Sequence, residues 1–186
     1  FFRRFYSPSN ASLAIAGDFQ REHALELVNR YFGDLVPGPA LPRKGRLDSP
    51  LAGRVELEMR DRGSLPRVYI SWPTPPDFDD DDAPLEFLQA VLSDGLTSRL
   101  HRSLVYEKQI AQSVTIRYHP AEVAGQFIVQ ATAAPGHELA EVESAVDAEM
   151  HRLRLDPPND EEMTRVKNRI EAGHYRQLAR IGGVGG

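Results

Sequence analysis

Cysteine is absent from this chain of 186 residues. Its absence excludes disulfide bonds, thiolate zinc sites and cysteine nucleophiles. A cysteine-free chain suits a reducing cytoplasm and a periplasm equally, so the compartment stays open. Long apolar runs are absent too. No stretch of about 18 apolar residues occurs, and we therefore expect no membrane span.

Basic residues are fewer than acidic ones in this chain. Lys and Arg number 22 against 27 Asp and Glu, which gives a net charge of −5, and no basic run is longer than a pair such as Arg3-Arg4. Nucleic-acid-binding domains usually carry a basic stripe, so we expect no nucleic acid partner. Otherwise the composition, with 41% hydrophobic and 26% charged residues, is that of an ordinary globular domain with a real core.

Metal-binding histidine pairs are missing as well. The six histidines never lie three to five residues apart, the spacing that lets two rings on one helix face reach one zinc ion. Residues 19–23 come nearest to the inverted zincin motif H-x-x-E-H, in which both histidines bind zinc and the glutamate is the general base. Because Phe19 replaces the first histidine, Glu22 and His23 are interpreted as exposed residues at a helix start. The sequence predicts no catalytic residue, no cofactor-binding residue and no metal ligand in this chain.

Motifs of other reaction classes are also absent. The chain has no Gly-x-Ser-x-Gly nucleophile elbow and no phosphate-binding loop of the Walker type. The glycine-rich residues 182–186 follow a predicted helix instead of joining a strand to one, so they predict a loop. The acidic run at residues 79–82 lacks the interleaved spacing of a calcium-binding EF-hand. It predicts a helix start, where it complements the helix dipole.

Among the features that are present, the first part of the chain predicts a helix end, a strand and a helix. Residues 1–6 are typical of a last helical turn before turn-forming residues, and the apolar run at residues 11–16 predicts a buried strand. Asp18 is predicted to cap the next helix and Gly33 to end it. The apolar face of that helix consists of Ala24, Leu27, Val28, Tyr31 and Phe32.

Residues 35–53 contain four prolines and three glycines, which predict an extended linker. Two strands are predicted after it, at residues 54–60 and 67–72, because apolar and polar side chains alternate there. Pro73 is predicted to stop the second strand. The residues predicted to face inward are Val55, Leu57 and Met59 in the first strand and Val68, Ile70 and Trp72 in the second.

Paired helices and paired strands are predicted next. A helix follows the acidic run and is broken by Gly95, after which Thr97 or Ser98 is predicted to cap a second helix. Strands are predicted at residues 112–118 and 125–133. The apolar stripe of the first helix consists of Leu85, Leu88, Val91 and Leu92.

Two long helices complete the chain. One is predicted over residues 138–153, and the other begins where Asn159 or Asp160 caps it and runs to about Leu178. The residues predicted to face inward in the first helix are Leu139, Val142, Val146, Met150 and Leu153. In the second helix, the apolar residues at helical spacing are Met163, Val166, Ile170 and Tyr175. The whole order indicates an α+β fold with a mixed or largely antiparallel sheet and paired helices packed on one face.

Three stretches of the chain form a recognisable pattern. The first contains F-Y-S-P-S-N and L-A-I-A-G-D within residues 5–18, followed by L-V-N-R-Y-F-G-D-L at residues 27–35. The second contains G-L-T-S-R-L within residues 92–111, and the third is L-A-R-I-G-G at residues 178–183. In this order they resemble the pitrilysin/insulinase family of zinc metallopeptidases, and they span nearly the whole chain.

The resemblance implies a pitrilysin-like metallopeptidase domain and a place in a longer protein. Residues 1–36 would be the tail, a strand plus a helix, of the preceding zinc domain. Residues 37–53 would be the linker, and residues 54–186 a non-catalytic domain. Zinc would be held in the upstream domain by H-x-x-E-H and a distal glutamate. The expected partners are the other domains of the parent protein and an extended peptide substrate, around which two halves close like a clamshell.

One departure from the family pattern concerns a second catalytic contribution. Many members carry an arginine and, seven residues later, a tyrosine that bind the substrate backbone and help to stabilise the reacting carbonyl. Val105 and Gln112 occupy these positions here, and Tyr106, one position away, does not replace the arginine. The resemblance therefore implies the second domain of the zinc-bearing half, and not the domain that completes the catalytic site.

The leading hypothesis is a non-catalytic structural and substrate-embracing domain of a zinc metalloendopeptidase that degrades unfolded peptides, inactive as an isolated chain. A sheet edge would accept the peptide as an added strand, and the net charge of −5 fits an acidic lining that favours basic substrates. The alternative is part of a catalytically dead homologue that acts as an assembly or protein-binding subunit. An unrelated α+β binding module is a third hypothesis.

Overall fold

The structure of the chain, a computed structural model, describes residues 1–42, 45–47 and 51–179. The backbone forms two compact units, one ending at Gly45 and the other beginning at Arg46. Part of the predicted linker, residues 43–44 and 48–50, lies outside the described residues. The two units are described separately.

The first unit contains three short helical elements. They are helix α1 (Phe2–Phe5), a 3-10 helix (Pro8–Asn10) and helix α2 (Arg21–Phe32). The Gly33 N–H donates to the carbonyl of Asn29 over 2.9 Å, so α2 ends where the sequence predicted. Asp18 is not the cap, because the helix begins after Gln20, which makes no side-chain capping bond.

Two predictions of burial in the first unit are wrong. Residues 11–16 form no strand, and the side chains of Leu13 and Ile15 are 61% and 49% exposed. A strand needs a neighbour for its backbone N–H and C=O groups, and none of the described residues supplies one. The predicted apolar face of α2 is also largely exposed, and only Ala24 and Val28 on it are half-buried.

A three-stranded antiparallel sheet forms the centre of the second unit. Its strands are β1 (Arg67–Thr74), β2 (Ala111–His119) and β3 (Gly125–Ala133), in the order β1-β3-β2. A short connection lets β2 and β3 pair as a hairpin, as alternation in the sequence predicted. The register places Ile70 opposite Val129 and Val129 opposite Ile116, so apolar side chains from all three strands share one face.

Pro73 does not stop β1, contrary to the prediction. The strand continues to Thr74, and Pro73 lies opposite Gln126. The Ala133 N–H donates to the Pro66 carbonyl over 3.0 Å. In an antiparallel pair the hydrogen-bonded residues alternate, so the backbone groups of the even-numbered residues of β1 bond β3 and those of the odd-numbered residues point away from it. Because β1 is an edge strand, the nitrogen of Pro73 lies where no donor is needed.

Helices α3 (Asp82–Ser93), α4 (Leu139–Leu155) and α5 (Asp160–Leu178) and a π-helix (His101–Glu107) complete this unit. Helix α3 and the π-helix pack on β2, α4 packs on β1 and β3, and α5 packs on α3. The fully buried hydrophobic core between the sheet and the helices includes Leu92, Leu100, Leu104, Val129, Val142 and Val146. The fold is therefore α+β with helices on one face of an antiparallel sheet, as the sequence predicted. No helix within the described residues has the length and apolar composition to cross a membrane.

The predicted strand at residues 54–60 is wrong. This segment is extended coil, and Val55, Leu57 and Met59 are each at least 80% exposed. Alternation states only which side chains would share a face, whereas a strand also requires a hydrogen-bonded neighbour. None of the described strands pairs with it.

The helix predicted after Gly95 adopts an unexpected register. Gly95 separates this helix from α3, with a φ of +90°. Within the helix, the Lys108 N–H donates to the Ser103 carbonyl over 3.0 Å, and this five-residue spacing is that of a π-helix. Neither predicted cap forms: the Ser98 hydroxyl donates back to the Gly95 carbonyl over 2.7 Å, and Thr97 accepts from Arg165.

Helix α5 begins with the predicted cap. The Glu162 N–H donates to Asn159 Oδ1 over 2.9 Å, and the Asn159 N–H donates to Glu162 Oε2 over 3.1 Å, a reciprocal capping box. Of the apolar residues at helical spacing, Val166 is buried, whereas Met163 and Tyr175 are 39% and 70% exposed. The end of the third family-like stretch, residues 180–183, lies outside the described residues.

Candidate functional site

The face of the sheet opposite the helices, here named the open face, is a grid of three strands by four rows. From one end of β1 to the other, the register aligns each β1 residue with one residue of β3 and one of β2. Its side chains are mostly exposed because the described helices pack on the other face. The rows are Arg67–Thr132–Ser113, Tyr69–Gln130–Thr115, Ser71–Ile128–Arg117 and Pro73–Gln126–His119.

The charge on the open face has one sign. Arg67 and Arg117 are its formally charged residues at neutral pH, and the grid contains no Asp or Glu. The acidic lining inferred from the net charge is therefore wrong for this face. Net charge sums over the whole chain and does not say where carboxylates lie.

Arg67 is held in place by neutral acceptors. Its Nε donates to Thr132 Oγ1 over 3.1 Å and its Nη1 donates to the Tyr69 hydroxyl over 3.3 Å. Across the described part of the chain, no carboxylate lies within ion-pair distance of this guanidinium. An arginine has more N–H donors than these two bonds use, so Arg67 keeps donors free for an anion.

The outer edge of β1 lies beside this arginine. The backbone groups of Arg67, Tyr69 and Ser71 point away from β3, by the register that the Ala133–Pro66 hydrogen bond sets. No other strand of the described residues pairs with them. Such an edge is a template for an extended chain.

The near-zincin motif brings no metal ligands together. Glu22 and His23 lie in the first turn of α2, and His23 Nδ1 is 3.8 Å from Glu26 Oε2, with the two side chains 67% and 77% exposed. Within residues 1–42, 45–47 and 51–179, no group of three or more His, Asp or Glu side chains is arranged to hold a metal ion.

The two departures from the catalytic pattern lie in different environments. Val105 is half-buried and packs against the core, whereas Gln112 is exposed at an irregularity in the register between Ala111 and Ser113. Tyr106 is 76% exposed. A bulge of this kind changes the direction of side chains at the start of a strand. The side chain at this bulge is the neutral amide of Gln112.

Arg99, in the family-like S-R-L stretch, joins the π-helix region to the start of α5. Its Nε and Nη2 donate to the two carboxylate oxygens of Glu162 over 2.8 and 2.7 Å, and its Nη1 donates to the Asp156 carbonyl over 2.7 Å. The hydrogen bonds from Arg99 hold the pKa of Glu162 below its usual range. Because both side chains are largely buried, this motif has a structural role.

Sequence reasoning missed Arg67 and Arg117 as candidate site residues. The available signal was the alternation of β1, because Val68, Ile70 and Trp72 were predicted inward and Arg67 and Tyr69 must then point to the opposite face. Whether that opposite face is open depends on which other elements cover it, and that requires the tertiary structure.

Comparison with known families and structures gives one family and a consistent fold. The sequence profile of the peptidase M16 inactive domain matches residues 1–170. A protease from Helicobacter pylori is 20% identical, with a TM-score of 0.77, over 96% of this chain and 44% of that one. A peptidase M16 inactive domain from Pseudomonas fluorescens is 21% identical, with a TM-score of 0.63, over 83% and 37% of the two chains. Among curated proteins, none matches the chain.

These similarities differ in what they establish. At such identities, the solved structures show the fold alone, and the chain spans less than half of the Helicobacter pylori protease. The profile, by contrast, covers most of the chain, and it agrees with the resemblance seen in the sequence. This chain therefore belongs to the family of peptidase M16 inactive domains, the pitrilysin-like domain type that lacks the zinc motif.

Proposed function

We propose that this chain is a non-catalytic, substrate-embracing domain of a zinc metalloendopeptidase that degrades unfolded peptides, and that it is inactive as an isolated chain. Family membership supports the peptidase context. Zinc does not fit the described residues, because Phe19 stands in the first histidine position and no ligand cluster forms elsewhere among them. The metal would be held by an upstream domain of a longer parent protein.

The proposed organisation follows from the resemblance to the pitrilysin/insulinase family. Residues 1–36 are the tail of the preceding zinc domain, residues 37–53 a linker and residues 54–186 the non-catalytic domain. Support comes from the uncovered apolar side chains of the first unit, such as Leu13, Ile15 and Leu25, which are 49–61% exposed. Side chains of this kind suit a surface that another domain covers.

The observation that carries the proposed role is the free edge of β1. An extended peptide can pair with the outward backbone groups of Arg67, Tyr69 and Ser71 as a fourth strand. In such pairing the hydrogen bonds are made to the backbone of the peptide, so no particular sequence is required. Pairing of this kind therefore suits a domain that holds unfolded peptides of many sequences.

A proline substitution on this edge tests the role directly. Ser71→Pro removes an N–H that points away from β3, as Pro73 already does two residues later, so the sheet keeps its internal hydrogen bonds. Ser71→Ala is the matched control, because it removes the hydroxyl and keeps the N–H. The probe is a fluorescein-labelled nonapeptide that consists of Thr, Ser and Val with a central Gln. Its binding to the chain is measured by fluorescence anisotropy.

We expect Ser71→Pro to weaken binding of this peptide about tenfold, because one backbone hydrogen bond is lost and the proline ring adds a steric conflict. Ser71→Ala should bind the peptide as the unaltered chain does. Equal binding by both variants would contradict pairing at β1.

The unaltered chain should cleave no unfolded peptide when zinc is added. Stoichiometric zinc in the purified chain, measured by atomic emission, would contradict the non-catalytic assignment.

The second candidate function is an assembly or protein-binding subunit of a catalytically dead homologue. Val105 and Gln112, at the positions where the family pattern has an arginine and a tyrosine, fit this candidate as well as the first one. The residues upstream of Phe1 in the parent protein discriminate the two. An H-x-x-E-H motif about one domain earlier supports the peptidase, and its absence supports the subunit.

A further inference from the structure

The open face carries an unpaired cation directly beside the proposed peptide-binding edge. Arg67 is on β1, its backbone groups point to the free edge, and its side chain lies on the open face. Its two hydrogen bonds go to neutral oxygens of Thr132 and Tyr69. These bonds fix the guanidinium without neutralising it, so the anion that would complete this site must come from outside the described residues.

The surroundings reinforce the sign of this charge. Arg117 lies on the same face, opposite Ile128, and it makes no ion pair with any carboxylate of the described residues. Other arginines of this unit do have carboxylate partners, for example Arg99 with Glu162 and Arg102 with Glu107. The cations of the open face thus stand out in a chain whose net charge is −5.

We propose that Arg67 is a specificity residue that selects extended peptides bearing an acidic side chain at the position paired with it. This inference rests on the proposed peptide-binding role of the β1 edge. A strand added to β1 would place the Cβ of its residue opposite Arg67 at about 5.5 Å, so a Glu carboxylate reaches the free N–H donors. A Lys at that position faces a fixed cation that no carboxylate within the described part of the chain compensates.

Three peptides test this selectivity on the unaltered chain. They are the labelled Thr, Ser and Val nonapeptide with Glu, Gln or Lys at the central position, compared by fluorescence anisotropy at low salt. A single charge-assisted pair at an exposed site predicts that the Glu peptide binds about three- to tenfold more tightly than the Gln peptide, and that the Lys peptide binds most weakly. Raising NaCl to about 0.5 M should shrink the difference.

Two matched variants locate the effect. Arg67→Gln removes the cation beside the β1 edge, leaves Arg117 on the open face, and should make the Glu and Gln peptides bind equally. Arg102→Gln removes a cation that is 70% exposed and paired with Glu107 outside the sheet, so it should leave the preference unchanged. A loss of preference in Arg102→Gln as large as in Arg67→Gln would overturn the assignment, because total charge would then explain it.

The outcomes separate this inference from the function on which it rests. If the Glu and Gln peptides bind the unaltered chain equally, or if the Lys peptide binds best, the selectivity of Arg67 is wrong while peptide binding stands. If none of the three peptides binds, the proposed function itself is overturned, and the open face becomes a surface for another domain of the parent protein. The comparison of peptides needs no variant, so it does not depend on how Arg67→Gln folds.

Discussion

At the scale of single residues, Arg99 and Glu162 form a bidentate ion pair in the second unit. The two side chains are 13% and 16% exposed, and Arg99 also donates to the carbonyls of Asp156 and Pro157. Glu162 at the same time closes the capping box with Asn159. One arginine therefore holds both the start of the α4–α5 connection and the first turn of α5.

Arg99→Ala is expected to lower the free energy of unfolding by about 3 kcal/mol, because it leaves a largely buried carboxylate and two carbonyls without their donor. Urea unfolding followed by circular dichroism measures it. Arg102→Ala is the matched control: Arg102 and Glu107 are 70% and 47% exposed, so the loss there should stay within about 0.5 kcal/mol. Equal losses in the two variants would contradict a structural role for the S-R-L motif.

The lowered pKa of Glu162 predicts a dependence of stability on pH. Unfolded, the carboxyl titrates near its usual value of about 4.3, whereas folded it releases its proton at lower pH. Its stabilising contribution is thus complete above the unfolded value and is lost as the pH falls through the folded one. Urea unfolding of the unaltered chain and of Glu162→Gln should therefore differ most near pH 7 and converge as the pH falls below about 4. A difference that stays constant with pH would contradict the ion pair.

At the scale of elements, the outcome of each strand prediction depended on hydrogen-bonded neighbours. The segments at residues 54–60 and 67–72 show the same alternation of apolar and polar residues. Only the second pairs, because β3 runs beside it. The segment at residues 54–60 has no neighbour among the described strands, and its apolar side chains stay exposed.

Hydrogen exchange measured by NMR should reveal the edge geometry residue by residue. The amides of Val68 and Ile70 face β3 and should exchange slowly, while those of Tyr69 and Ser71 point to the free edge and should exchange quickly. Amides in the segment at residues 54–60 should exchange at near-unprotected rates. Uniform protection along β1 would mean that its edge is already paired, and it would contradict the proposed peptide-binding site.

At the scale of the whole molecule, periodicity predicted most of the second unit. The helical stripes of α3 and α4 and the hairpin of β2 and β3 appear where alternation and turn chemistry indicated. These signals are local, since side chains repeat every 3.6 residues in a helix and every two in a strand. Three strong local signals were nevertheless misleading: the apolar run at residues 11–16, the alternation at residues 54–60 and the proline at residue 73.

The sequence by itself determined the fold class, the family pattern and the absence of a zinc motif, because each depends on residues close together in the chain or on spacings within one helix. Only the tertiary structure decided that Pro73 lies on an edge strand, that Arg99 pairs with Glu162 and that no carboxylate of the described residues lies beside Arg67. Those outcomes join residues up to 65 positions apart. Which distant groups meet is set by the packing of helices on one face of the sheet, and the face left open carries the candidate site.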